Sequence, residues 1–207
     1  MHERMQGNQF LFIATVFYGS LFIVTILLFR LLRMSLAAHI HWWYPRIARD
    51  IGIAVAATIP LLAFFLYLCR SHVAALRQIQ TFLDEHITPA VSDLSIATLA
   101  VLCIGVGISE ELLFRGLIQI GFADIMNSAA ALIIASAIFG LAHFITPIYG
   151  LIATVIGGYL GLMFLLTDNL ITAIVTHALY DFIALRHLVH QYRNKQGCAD
   201  GASAAEM

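Results

Sequence analysis

Ser109-Glu110-Glu111-Leu112-Leu113-Phe114-Arg115-Gly116 is the stretch on which both fold and function turn. Residues 94–109 lead into the two carboxylates without a charge except theirs to come, and residues 116–123 follow the arginine with none. An ionised carboxylate at the centre of a membrane helix costs about 3 kcal/mol on insertion scales, so such groups face a protein interior or a water-filled cavity. Two in succession, with an arginine four residues on, mark a functional site inside a membrane segment.

Composition agrees with a membrane setting. Of 207 residues, 61% are hydrophobic and 11% charged, against about 25% charged in a soluble domain. The length suits one bundle of about six helices, since each crossing needs about 20 residues. The formal net charge of -1 carries no basic block, which argues against a nucleic-acid partner. Cys69, Cys103 and Cys198 are far apart and form no CxxC pair, so neither a disulfide framework nor a thiolate zinc site is indicated.

From the central stretch outward, the apolar runs predict an all-α polytopic bundle with short interfacial amphipathic helices. Residues 10–29 form a charge-free run, closed by Arg30 and Arg33, that reads as a retained first span rather than a cleaved signal. Residues 34–49 contain Trp42, Trp43 and Tyr44 beside arginines and fit the membrane interface; His39 and His41 belong there too. Residues 51–69 read as a second span bent at Pro60. Leu76, Ile79, Phe82 and Leu83 alternate with polar residues in a surface helix, which Thr88-Pro89 is expected to end.

Asp93 or Ser92 is the expected cap of the third span. Residues 125–167 are too long for one crossing, and Thr146-Pro147 divides them into spans at 127–145 and 148–166. Gly157 and Gly161 give the latter a small-xxx-small face. Residues 170–185 form the sixth span. The chain thus divides into 1–93 (two spans and interfacial segments), 94–190 (a core of polar-bearing helices) and 191–207 (a disordered tail).

Three polar clusters fall inside these spans. Glu111 and Arg115 are i,i+4 and can pair along one face. Glu110 points about 100 degrees away, so the two glutamates cannot do the same job. Phe139 and His143 share a face of the fourth span. His177 is followed one turn later by Asp181, which can orient it or reach the same cavity. A converging set of Glu110, His143, His177 and Asp181 can activate a water and stabilise an oxyanion. It can also furnish ligands to a divalent metal such as zinc, so Glu110, His143, His177 and Asp181 are the metal candidates. No other cofactor is indicated. HExxH is missing, and the only lysine, Lys195, lies outside the spans, which removes serine-lysine chemistry.

The ordered trio of motifs resembles that of the CAAX-protease and bacteriocin-processing family of intramembrane endopeptidases. Glu110, Glu111 and Arg115 match its EExxxR, Phe139 and His143 its FxxxH, and His177 and Asp181 its HxxxN or HxxxD. The resemblance covers roughly residues 94–185. It implies a peptide hydrolase with Glu110 as the base that activates water. Glu111 and Arg115 would support its position, and His143 and His177 would hold the water or the oxyanion. Asp181 stands where many relatives carry Asn. The family is described both as metal-dependent and as glutamic, which leaves the metal question open.

The resemblance further implies an integral protein of the bacterial cytoplasmic membrane. Its partners would be the lipid bilayer and a membrane protein or peptide substrate. The competing reading is a non-proteolytic membrane protein, either an immunity or scaffold protein or a proton-coupled transporter, which would also use buried Glu, Asp and His. Axial haem ligation by His143 and His177 would leave the Glu-Glu-Arg cluster unexplained.

Overall fold

A computed structural model describes residues 7–43 and 45–205, with side chains described as far as residue 197. Tyr44, expected at the interface, and residues 1–6 and 206–207 lie outside it. The described residues are helical apart from short connections, with no strand among them. The long elements are α1 (Gly7–Leu31), α2 (Arg46–Arg70), α5 (Ile96–Glu111), α7 (Ser128–Ala142), α8 (Pro147–Thr167) and α9 (Leu170–Ala205). Shorter ones are α3 (Ala74–Phe82), α4 (Thr88–Ser92) and α6 (Ile120–Ala123).

Four helices among the described residues are long and apolar enough to cross a membrane: Gly7–Leu31, Arg46–Arg70, Ile96–Ala123 and Pro147–Thr167. At 15 residues α7 is apolar but shorter, about 22 Å at 1.5 Å per residue. The sixth expected span is the first half of α9, where His177, Asp181 and Arg186 dilute the apolar run. An all-helical membrane bundle is the architecture, and about six crossings fit it.

The local chemistry of the helix ends differs in part from expectation. Ser95, rather than Ser92 or Asp93, caps α5: its side chain accepts from Thr98 N at 3.1 Å. Ser92 Oγ instead donates to the Pro89 carbonyl at 2.8 Å. Nor does Thr88-Pro89 end the surface helix, since the chain passes through a π-helical turn at Leu83–Ile87 into α4. Pro89 is the second residue of α4, directly after the π-helical turn. Asn127 and Thr146 cap α7 and α8, accepting from Ala130 N at 2.9 Å and Tyr149 N at 3.2 Å.

The stretch from 191 to 205, expected to be a disordered tail, continues α9. Two long side chains tie it down: Arg193 Nη2 donates to Ser92 O at 2.6 Å, and Lys195 Nζ to Asp84 Oδ2 at 2.7 Å. The interfacial segment is also held more specifically than a membrane-surface reading implies. Asp50 is fully buried and accepts from Asn169 Nδ2 at 2.7 Å, while His39 Nδ1 lies 3.1 Å from Asp168 Oδ1. Arg46 Nη2 donates to the Thr167 carbonyl at 2.9 Å, closing α8 where Asp168 turns into the left-handed conformation.

Glycines set the distances between the helices that carry the site. A Cβ on Gly107 would meet the Ile174 carbonyl at 3.2 Å and Ala178 Cβ at 3.3 Å, so α5 and α9 approach closely one turn from His177. The α7–α8 crossing is tighter, with a Cβ on Gly140 only 2.6 Å from the Gly150 carbonyl oxygen. Because that neighbour is backbone, Gly140→Ala forces the helices apart. The expected cost is about 1–3 kcal/mol, in the range of overpacked cores, read as a lower melting temperature in detergent. His143 sits three residues on, so the substitution displaces it as well.

Candidate active site

Ile96–Ala123 is one continuous helix whose winding changes just after the two glutamates. It is α-helical through Gly105 and Gly107 to Glu111, then π-helical from Leu112 to Gln119. Such i→i+5 turns occur often at functional sites. Here the π-helical stretch aims two polar side chains at α8. Arg115 Nη2 donates to Gly157 O at 2.7 Å, and Gln119 Nε2 donates to Gly161 O at 3.2 Å. The Gly157/Gly161 face therefore does more than admit a close helix, since its bare backbone also supplies the carbonyl acceptors.

Glu110, Glu111, Arg115 and His177 are all buried, at 5%, 0%, 1% and 6% exposure. Glu111 is the node. Its Oε1 accepts from Arg115 Nη1 at 2.8 Å and lies 2.7 Å from His177 Nδ1. The second contact joins α5 to α9 and was not foreseen from sequence, where only the i,i+4 pair was legible. His177 Nε2 lies 3.4 Å from Asp181 Oδ2, so this imidazole stands between two carboxylates. Arg115 also covers the Phe139 ring, with its guanidinium carbon 4.6 Å from the ring centre. A desolvated cation over an aromatic face gains up to about 2 kcal/mol.

Glu110 turns the other way. It lines a cavity of about 490 Å³ together with His143, His177 and Asp181. Glu110 Oε2 accepts no hydrogen bond from the described residues, and His143 Nε2 stands 3.5 Å from it. His143 follows the last residue of α7 at the C-cap, with its ring stacked on Phe139 at 4.3 Å between centres. Its Nδ1 donates to the Phe139 carbonyl at 2.9 Å. That bond fixes the tautomer: a neutral His143 presents a lone pair at Nε2, toward Glu110. Two acceptors facing each other need a proton between them, on one of the two groups or on a water donating to both.

The cavity brings together all six residues expected from sequence or their direct partners: Glu110, His143, His177 and Asp181 line it, and Glu111 and Arg115 lie behind it. It also contains residues that the motifs do not name. Tyr18 of α1, Tyr149 of α8 and Tyr180 of α9 line it, and their hydroxyls lie in the field of Glu110 or Asp181. A tyrosine in an aromatic-rich membrane chain carries no sequence signal comparable to a buried charge. The one available clue is periodicity: Ala14, Tyr18, Thr25 and Phe29 share the inward face of α1.

As a metal centre the arrangement is a poor fit. No group of three or more His, Cys, Asp or Glu among the described residues is disposed to hold a metal ion. Both nitrogens of His177 already face carboxylates, and His143 Nδ1 is committed to a backbone carbonyl.

The fold and site define an all-helical membrane protein in which buried Glu110 and His177 and half-buried His143 and Asp181 line a largely apolar cavity. Residues 92–183 match the family model of the type II CAAX prenyl endopeptidase Rce1-like proteins, and over that segment the chain is similar to this CAAX-protease family. The comparisons with curated proteins and with solved structures return no match.

Proposed function

We propose that this protein is an intramembrane endopeptidase in which Glu110 activates the water that hydrolyses the peptide bond. One observation carries the reading: two adjacent buried glutamates have opposite surroundings. Glu111 is held through Oε1 by both Arg115 and His177, whereas Glu110 has no such clamp and faces the cavity opposite the lone-pair nitrogen of His143.

Water held between Glu110 and His143 attacks the scissile carbonyl carbon and gives a proton to Glu110. The carbonyl π bond opens to an oxyanion. His177, held firmly by Glu111 at Nδ1 and only loosely by Asp181 at Nε2, lines the cavity and offsets that charge. The carbon–nitrogen bond then breaks as the protonated Glu110 returns its proton to the leaving amine, and a carboxylic acid and an amine result, the acid's proton passing to the amine in water. Glu111 and Arg115 take no part in bond making; they fix the imidazole of His177.

The substrate is a peptide presented from the membrane, as the apolar cavity lining supports. The family description suggests a segment whose cysteine is prenylated four residues from the C-terminus. A quenched fluorescent peptide of that form, tested beside its unprenylated counterpart in detergent micelles, decides the point. Cleavage of both at equal rates would remove the prenyl requirement, and cleavage of neither would remove this substrate class. The donor geometry predicts that a strong chelator leaves the rate unchanged. A rate lost on chelation and restored by zinc would place a metal in the mechanism instead.

A further inference from the structure

The clamps around the two glutamates are unequal. Glu111 is gripped by Arg115 at 2.8 Å and His177 at 2.7 Å. Within the segment that matches the family, Glu110 has only His143 Nε2, at 3.5 Å. A general base needs its carboxylate held within a few tenths of an ångström of the productive geometry. The missing constraint must come from elsewhere in the molecule.

The helix α1 lies outside the matched segment and borders the site. This helix is largely exposed on its outer face, with Phe12, Val16, Phe17 and Ile23 uncovered. Its inner face packs on α5 next to the site, where Ser109 Oγ shares its proton between the Gly105 carbonyl at 2.7 Å and the Tyr18 carbonyl of α1 at 3.1 Å. Ser109 immediately precedes Glu110. Tyr18 in turn lines the same cavity as Glu110. Tyr149, from α8, lines the same cavity.

We propose that Tyr18 is a positioning residue for Glu110: its hydroxyl, carried in on α1, holds the carboxylate toward His143 and the cavity. The site is then completed by a helix that the three motifs do not include. The inference rests on Glu110 being the base, and it adds a residue to that reading.

Removing the hydroxyl alone tests it. Tyr18→Phe keeps the ring and its packing, and the melting temperature in detergent should match wild type. With the fluorescent peptide, kcat should fall about tenfold while KM stays within about twofold, as for loss of one hydrogen bond to a charged group. Val16→Ala, on the exposed face of α1, should leave both constants unchanged. A readout independent of turnover is labelling of Glu110 by an apolar carbodiimide, followed by mass spectrometry. In Tyr18→Phe the carboxyl loses its donor and should label several-fold faster.

Unchanged kcat in Tyr18→Phe would overturn the inference and leave the base assignment standing. Full activity in Glu110→Gln would overturn the base assignment, and the labelling rates would still report whether Tyr18 holds the carboxyl. Equal labelling in wild type and Tyr18→Phe would overturn the inference even if no peptide is cleaved.

Discussion

Glu110→Gln is expected to abolish measurable hydrolysis while leaving the protein folded. The substitution keeps the shape and removes the basic oxygen. General-base assistance contributes about 10²–10⁴ in rate, and the fall should appear in kcat rather than KM, since the carboxylate acts on water and not on substrate binding. The melting temperature should move little, because Glu110 Oε2 accepts no bond from the described residues that an amide would lose. The measurement is a pair of steady-state constants on purified protein, with a thermal melt of the same preparation.

Arg115→Met is expected to be the most destabilising single change in the core. It leaves Glu111 fully buried without its cation, and leaves the Gly157 carbonyl without its donor. Breaking a buried ion pair from one side costs about 3–5 kcal/mol. Methionine fills the volume, so the loss reports charge rather than a cavity. The double variant Glu111→Gln/Arg115→Met should recover much of the stability, because neither partner is then left uncompensated. It should not recover hydrolysis, since His177 still lacks the carboxylate that holds its Nδ1. Melting and rate measurements on the two variants separate these effects.

What was legible in the sequence was whatever is expensive in a membrane. The apolar runs at Gly7–Leu31 and Pro147–Thr167 declare themselves by length and hydropathy. Glu110, Glu111, Arg115, His143, His177 and Asp181 stand out because each is costly to bury. Their convergence on one cavity is the arrangement that would offset that cost. The Glu111–Arg115 pair was readable because both lie on one helix. The Glu111–His177 contact was not, because it depends on how closely α5 meets α9, which a glycine at 107 permits but does not announce.

Other features lack a local signature altogether. The π-helical winding at Leu112–Gln119 shifts each backbone bond by one residue, and it coincides with Arg115 and Gln119 reaching the carbonyls of α8. Nothing in Leu112-Leu113-Phe114 specifies it. The polar tail read as disordered by composition, yet Arg193 and Lys195 find partners 101 and 111 residues away in sequence. Tyr18 illustrates the same limit in the site itself: an uncharged side chain on a lipid-facing helix becomes informative only once its neighbours are known.

The central claim is that neighbouring glutamates have different work, and one paired measurement addresses it: rate and melting temperature of Glu110→Gln and Glu111→Gln, determined side by side on the same detergent preparations. The account predicts that Glu110→Gln loses turnover at a wild-type melting temperature, whereas Glu111→Gln loses turnover together with several degrees of stability. A Glu110→Gln protein that still cleaves at the wild-type rate, or a Glu111→Gln protein as stable and active as wild type, would contradict it.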